Sequence, residues 1–306
     1  MAFSPIQGVI QQAGKVILGK ERPIRLALAC LLAHGHLLIE DLPGVGKTTL
    51  AHVLAKLLGL NFHRIQFTSD MLPADIIGVA VYERETATFK FHPGPIFAQL
   101  ILADEVNRAT PKTQSALLEA MEEHQVTAEG ETRRLPEPFF VVATQNPSHQ
   151  VGTFPLPESQ LDRFLMRIEL GYPDRDSERQ LLQGAERRDM IAGLDACLAP
   201  GELMDLQALV KTVHVAPPLL DYIQALVEHT RRSPEYATGL SPRAALALVH
   251  GSRAWAMLDE RDKVVPEDVQ AVLPGIAGHR LRPVHDGARM TSIDKANDII
   301  SAVPIP

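Results

Sequence analysis

Near the start of the chain, Ile6, Val9, Ile10, Ala13, Val16 and Ile17 recur at helical spacing and stop at Gly19, the pattern of one amphipathic helix. A second helix is predicted from about 22 to 33. The short apolar run Leu37-Leu38-Ile39 predicts a strand leading into Asp41-Leu42-Pro43-Gly44-Val45-Gly46-Lys47-Thr48-Thr49. Leu50, Val53, Leu54, Leu57 and Leu58 then repeat at i, i+3, i+4, i+7 and i+8, and Gly59 ends the repeat as a C-cap glycine does. The unit is strand, glycine loop, helix. Alternation over 79–91 predicts a hairpin turning around 83–86, followed by the turn His92-Pro93-Gly94-Pro95. Leu100-Ile101-Leu102-Ala103 is a continuous apolar run of the kind buried on both faces of a parallel sheet, and it ends in Asp104-Glu105. A helix over 111–123 follows, with Thr110 as N-cap and Pro111 at its first position. A further hairpin is predicted to turn near Gly130, a central strand at 139–143 and another short strand at 164–170. Apolar strands interleaved with helices predict a doubly wound α/β domain with a parallel sheet.

The texture changes at Gly171-Tyr172-Pro173, beyond which helical periodicity dominates to the end of the chain. Helices are expected near 175–188, 203–210, 218–230, 242–258, 266–273 and 292–302. The division expected is therefore an α/β core over 1–175 and an all-α lid over 176–306. A length of 306 residues agrees with two units of about 150.

Composition narrows the classes. With 45% hydrophobic and 22% charged residues the chain folds around cores rather than remaining disordered. Lys plus Arg number 30 against 37 Asp plus Glu, a net charge of −7, and an acidic protein is not built mainly to coat nucleic acid. Cys30 and Cys197 are the only cysteines and stand far apart, which argues against a disulfide framework and fits a reducing cytoplasm. The first residues lack a signal-peptide pattern, and the longest apolar run is far shorter than the roughly 20 residues that cross a bilayer, so no membrane insertion is expected.

The chemistry gathers at the ends of the predicted strands. A Gly44-Val45-Gly46 loop between strand and helix lets backbone N–H groups face a phosphate chain at the helix's positive end. Lys47 would pair with the β and γ phosphates, and Thr48 would offer its hydroxyl to Mg²⁺. The strict pattern GxxxxGK[ST] fails, because its first glycine falls on Asp41. Asp104 and Glu105 close the most apolar strand, where Asp104 would hold Mg²⁺ through water and Glu105 would polarise the attacking water. Asn146, just after a strand, reaches the same edge and could orient that water, although an Asn-Pro step is also a common turn starter. Arg163 and Arg243 are candidates to stabilise charge on a transferring phosphoryl group. Ser241-Pro242-Arg243 opens a lid helix that could fold over the nucleotide, and Arg163 ends a helical segment that could face a neighbouring subunit.

These residues carry a resemblance. Glu40 through Thr48, Leu102-Ala103-Asp104-Glu105-Val106-Asn107-Arg108-Ala109, Gln114 to Met121, Ala143-Thr144-Gln145-Asn146-Pro147, Pro155-Leu156-Pro157-Glu158 and Gln160-Leu161-Asp162-Arg163-Phe164 resemble the MoxR family of AAA+ ATPases. Looser matches are Ser241-Pro242-Arg243-Ala244 and Val264-Val265-Pro266-Glu267-Asp268-Val269 in the lid. The Asp at the first Walker A glycine is usual in that family. The resemblance implies a P-loop AAA+ core followed by an all-α lid, with ATP and Mg²⁺ as ligands. It implies Walker A contacts from Pro43, Gly44, Val45, Gly46, Lys47, Thr48 and Thr49, and Walker B at Asp104 and Glu105. It further implies sensor 1 at Asn146, an arginine finger at Arg163 and sensor 2 at Arg243, with Arg108 a further interface candidate. Such proteins form rings, often hexamers, and act as chaperones that mature other proteins, frequently with a von Willebrand factor type A domain partner.

Other features point less far. His34-Gly35-His36 lacks a nearby third metal ligand and reads as an entry to a strand. Arg133-Arg134, Arg187-Arg188 and Arg231-Arg232 are scattered pairs typical of solvated faces. The hairpin at 82–91 is either a plain edge hairpin or one that projects toward a ring pore. Three classes remain open at this point: a remodelling ATPase, a nucleic-acid motor or loader on the same scaffold, and a non-hydrolysing nucleotide-dependent scaffold. The acidic charge disfavours the second, and Lys47, Glu105 and Asn146 disfavour the third.

Overall fold

The structure is a computed structural model that describes residues 4–146, 152–184, 186–284 and 290–305. Two helices, α1 (Ser4–Val16) and α2 (Glu21–Leu32), precede the first strand β1 (Leu37–Glu40), and the glycine loop then leads into α3 (Lys47–Leu57). Next come β2 (Phe62–Gln66), α4 (Pro73–Ile77) and the antiparallel hairpin of β3 (Gly78–Glu83) and β4 (Thr88–Pro93). β5 (Leu100–Asp104) passes through a short 3-10 turn into α5 (Pro111–Glu123), followed by the hairpin of β6 (Gln125–Ala128) and β7 (Glu131–Arg134). β8 (Phe140–Gln145), α6 (Glu158–Leu161) and β9 (Met166–Ile168) complete the first unit. The rest is helical: α7 (Arg175–Gln183), α8 (Arg187–Ala192), α9 (Pro200–Val210), α10 (Pro217–Arg232), α11 (Pro242–Leu258), α12 (Pro266–Ala277) and α13 (Ser292–Ala302).

Five parallel strands form the main sheet in the order β2-β5-β8-β1-β9. Its central strands are the apolar runs: β5 is buried throughout and β8 at all but its last residue, because helices cover both faces. The order brings the carboxyl ends of β1, β5 and β8 side by side, which is where an open α/β sheet binds ligands. β2 departs from the expectation, since periodicity predicts no strand there. Its sequence FHRIQ buries only Ile65 fully and has no apolar run, yet it pairs with β5 from Phe62↔Leu100 to Gln66↔Asp104. The helix expected over 175–188 is broken at Gly184 into α7 and α8.

The helical unit does not stand apart from the core. Residues of α1, α2 and α3 share one apolar cluster with those of α9 to α13. Polar contacts fasten the same face: Gln207 donates to the Leu31 carbonyl (2.7 Å), Gln7 to the Leu258 carbonyl (2.7 Å), and the Arg25 guanidinium lies 4.8 Å over the Trp255 ring. Beyond α12, Arg280 is almost wholly buried and uses all of its N–H groups. They go to Asp162 Oδ1 and to the carbonyls of Asp162, Phe164, Leu165 and Ile276. Such a fork fixes the turn before β9 against the lid. Among the described residues no helix is long and apolar enough to cross a membrane.

Candidate active site

The phosphate loop begins where β1 ends. Gly44 and Gly46 have φ of 84° and 101°, a left-handed region that a side chain would resist, and this geometry starts α3 at Lys47. The unpaired N–H groups of the first turn of α3 therefore open onto the loop, with Thr48 and Thr49 half-buried beside Lys47. Lys47 is 8% exposed, and its ammonium donates to the Asp41 carbonyl and to Asn146 Oδ1 (3.1 Å). Burial lowers its pKa, against the pull of Asp41, Asp104, Glu105 and Glu40 toward the charged form.

Asp104 ends β5 and accepts from Thr144 Oγ1 (2.6 Å) at one oxygen and from Arg64 Nε and Nη2 (3.0 and 2.6 Å) at the other. Glu105 is held at φ 57°, uncommon for a side chain-bearing residue and suited to turning its carboxylate back along the sheet edge. Its backbone N–H donates to the same Thr144 hydroxyl (2.9 Å), so one threonine orients both acids. The Glu105 carboxylate accepts from Asn146 Nδ2 (2.9 Å), from Gln66 Nε2 (2.9 Å) and from Arg108 Nη1 (3.1 Å). Asn146 thus bridges Lys47 and Glu105, and its own carbonyl accepts from Asn107 (3.2 Å). Pro147, which follows it, lies outside the described residues.

Lys47, Asp104, Glu105 and Asn146 therefore meet in one network, while Arg163 and Arg243 do not join it. Arg163 donates to the Leu118 carbonyl (2.7 Å) and lies 3.8 Å from Glu122, which also pairs with Arg243. Arg163 precedes β9, whose first residue is in register with Leu37 at the start of β1, and Leu165 donates to the His36 carbonyl. Both arginines thus sit at the amino edge of the sheet, a strand length of about 10 Å or more from the phosphate loop. The expectation that Arg243 folds over the nucleotide of its own chain is not met, because α11 packs on α2 and α9 and its N-cap Ser241 is bonded to Asp162.

Arg64, Gln66 and Thr144 are the site residues that sequence reasoning passes over. Arg64 and Gln66 lie on the polar strand β2, and a usable signal is topological, since the first crossover helix must return to a strand. In His34-Gly35-His36, both ring nitrogens of His36 are engaged: Nδ1 accepts from Val141 N–H (3.0 Å), leaving Nε2 to donate to the Met121 carbonyl (3.1 Å). Among the described residues no group of His, Cys, Asp and Glu is gathered to hold a metal on its own.

A family model described as the ATPase family associated with various cellular activities (AAA) matches residues 36–166, and one for an AAA lid domain matches 228–302. The chain is 39% identical to the chaperone MoxR1 of Mycobacterium tuberculosis over 92% of its own length and 76% of the relative's. It is 32% identical to the protein MoxR of Paracoccus denitrificans, covering 95% and 93%. It is 44% identical to the uncharacterised protein YeaC of Bacillus subtilis, covering 99% and 95%. A solved structure of a Cytophaga hutchinsonii protein superposes with a TM-score of 0.91 at 37% identity, over 100% of this chain and 96% of that one.

Proposed function

Because the chain belongs to the MoxR family of AAA+ ATPases, we propose that it binds ATP at the Gly44 to Thr49 loop and hydrolyses it in a ring of identical subunits. The observation that carries this reading is the single network of Lys47, Asn146 and Glu105, in which a phosphate-binding cation and a candidate base share one amide. The loop N–H groups and Lys47 suit phosphate oxygens, while the Thr48 hydroxyl and the Asp104 carboxylate are hard oxygen donors suited to Mg²⁺. When bound, that ion would neutralise charge on the β and γ oxygens.

On this reading Lys47 exchanges the Asp41 carbonyl and Asn146 for phosphate oxygens. Asn146 is then free to orient a water, and Glu105 accepts the water's proton as its oxygen forms the new bond to the γ phosphorus and the bond to the bridging oxygen of ADP breaks. Glu105 must first loosen its bonds to Gln66 and Arg108, so the site rests with its base restrained. Arg163 and Arg243, whose partners are the Leu118 carbonyl and Glu122 rather than this network, serve the site of the adjacent subunit on this reading. We assign the chain a chaperone-like role in maturing protein complexes in the cytoplasm, with a von Willebrand factor type A domain protein as its expected partner. The acidic net charge of −7 speaks against a nucleic-acid motor.

Bound nucleotide and phosphate release test the reading together. Glu105→Gln keeps the shape and loses the base, so ATP should stay bound while turnover falls at least about 100-fold. Wild-type turnover in this variant would remove Glu105 from the chemistry.

A further inference from the structure

Asp41 stands where the strict phosphate-loop pattern has glycine, and no step of the proposed hydrolysis uses its side chain. Its surroundings are nonetheless the most connected of the loop. Its backbone N–H donates to the Gln145 carbonyl (3.3 Å), next to Asn146, and its own carbonyl accepts the Lys47 ammonium. One carboxylate oxygen accepts from the Leu42 N–H (2.7 Å). The other accepts from the N–H groups of Leu170 (2.6 Å) and Gly171 (2.7 Å), where the chain leaves β9 for the helical unit. Gly171 has φ of 64°, a conformation glycine adopts without strain, and that turn is part of the geometry that presents its N–H to Asp41.

We infer that Asp41 is a positioning residue that couples the phosphate loop to the segment, residues 170–171, that leads from β9 toward the lid. The inference rests on the ATPase reading above and goes beyond it. Within one residue the carbonyl touches the group that must move when a triphosphate arrives, and the side chain holds the segment through which the lid is attached. A carboxylate is suited to this because it accepts several N–H groups at once, with charge-assisted bonds that a neutral side chain of the same size makes more weakly. Glycine at this position could make none of the side-chain contacts. When Lys47 turns to phosphate oxygens it leaves the Asp41 carbonyl, the 41–42 peptide loses its restraint, and the carboxylate passes the change to residues 170–171. The lid is thus informed of the loop's occupancy without folding over the nucleotide, in keeping with its packing on α2 and β9.

The experiment is hydrogen exchange at the Leu170 and Gly171 amides of the full chain, without nucleotide and with a non-hydrolysable ATP analogue plus Mg²⁺. Wild type, Asp41→Ala and Asp41→Gly are compared; the last restores the residue of the strict pattern and so guards against a variant that merely fails to fold. In wild type these amides should be protected without nucleotide, and their exchange rate should change at least about threefold on binding. In both variants they should exchange at least about tenfold faster and respond to the analogue not at all, while the analogue's Kd stays within about threefold of wild type. Variants that keep wild-type protection, or keep the analogue-dependent change, overturn the coupling. So does a Kd weakened about 100-fold, which would make Asp41 a direct binding group. Wild type that binds no analogue would overturn the ATPase reading itself, a result distinct from normal binding with an unlinked lid segment.

Discussion

At the carboxyl edge of the sheet, Lys47, Asp104, Glu105 and Asn146 satisfy one another through Thr144, Gln66 and Arg64 within one chain. At the amino edge, Arg163 and Arg243 share Glu122 near the end of α5, and no reacting group lies among their partners. The first edge is built to hold charge that is spent within the subunit. The second is half-exposed and carries two cations that share the Glu122 carboxylate, Arg163 donating also to the Leu118 carbonyl. A phosphoryl-transfer site needs both kinds of group, so on the proposed function the two edges would complete one another only between copies.

The most direct way to break this comparison is to mix crippled subunits. Arg163→Ala should bind ATP within a few-fold of wild type and lose about 1,000-fold in turnover, near the range for a trans-acting arginine. Lys47→Ala should lose nucleotide binding. A mixture should regain activity, because an intact loop in one subunit can face an intact Arg163 in the next. Phosphate release no greater than the sum of the separate proteins would place Arg163 outside the chemistry. Native mass spectrometry with ATP reports whether a ring forms.

A smaller effect is expected where the lid pins the arginine-bearing turn. Arg280→Lys keeps the charge but cannot reproduce a fork that serves Asp162 and four carbonyls, and it should cost about 3 kcal/mol in urea unfolding. A loss below about 1 kcal/mol would mean that the turn is held by its apolar packing instead.

Acid should act on the same edge. Burial pushes His36 down to about 4, against the Met121 carbonyl that favours the charged ring, with His124 adding to the drop. Between about 6.5 and 4 the unfolded chain binds this proton and the folded chain does not. The stability from His36 is therefore complete above the unfolded value and is lost as pH falls through that window, by about 2 kcal/mol between pH 7 and pH 5. Buried His279, whose Nε2 donates to the Phe164 carbonyl, shifts in the same direction and adds to the slope. His36→Gln should flatten part of the pH dependence measured by urea unfolding, and an unchanged slope would assign it to other groups. The smallest expected effect is that of Glu122→Gln, which removes the charge both arginines share. Exposed ion pairs are worth little, so stability should change by less than about 1 kcal/mol. Any larger change should appear in turnover, since Glu122 sets where the arginines point.

Much of the carboxyl edge was legible in the chain. The glycine loop, the Asp104-Glu105 pair after an apolar run and Asn146 after the next strand are each local, and a sheet of this kind brings strand ends together whatever the loops between them. The apolar runs announced β5 and β8 because both faces of those strands are buried. β2 stayed hidden because it carries a buried Ile65 among polar residues, and with it went Arg64 and Gln66, the partners of the two acids. Thr144 stands out in the sequence only as part of a motif, since nothing in a hydroxyl near a strand's end says that it will bond to two successive residues at the end of another strand.

The sequence by itself determined which residues are candidates for phosphoryl-transfer chemistry, because the loop, its helix and the acidic strand end are set by glycine φ preference, helix periodicity and apolar runs over a few neighbouring positions. Only the tertiary structure decided which of those residues meet. The lid docks on α2 and β9 through a shared apolar core, so Arg243 comes to rest on Glu122 rather than over Lys47. It also decided that Asp41, in place of a glycine, reaches residues 129 and 130 positions away. Such contacts depend on how separate faces bury their apolar area against each other, and no local pattern records that.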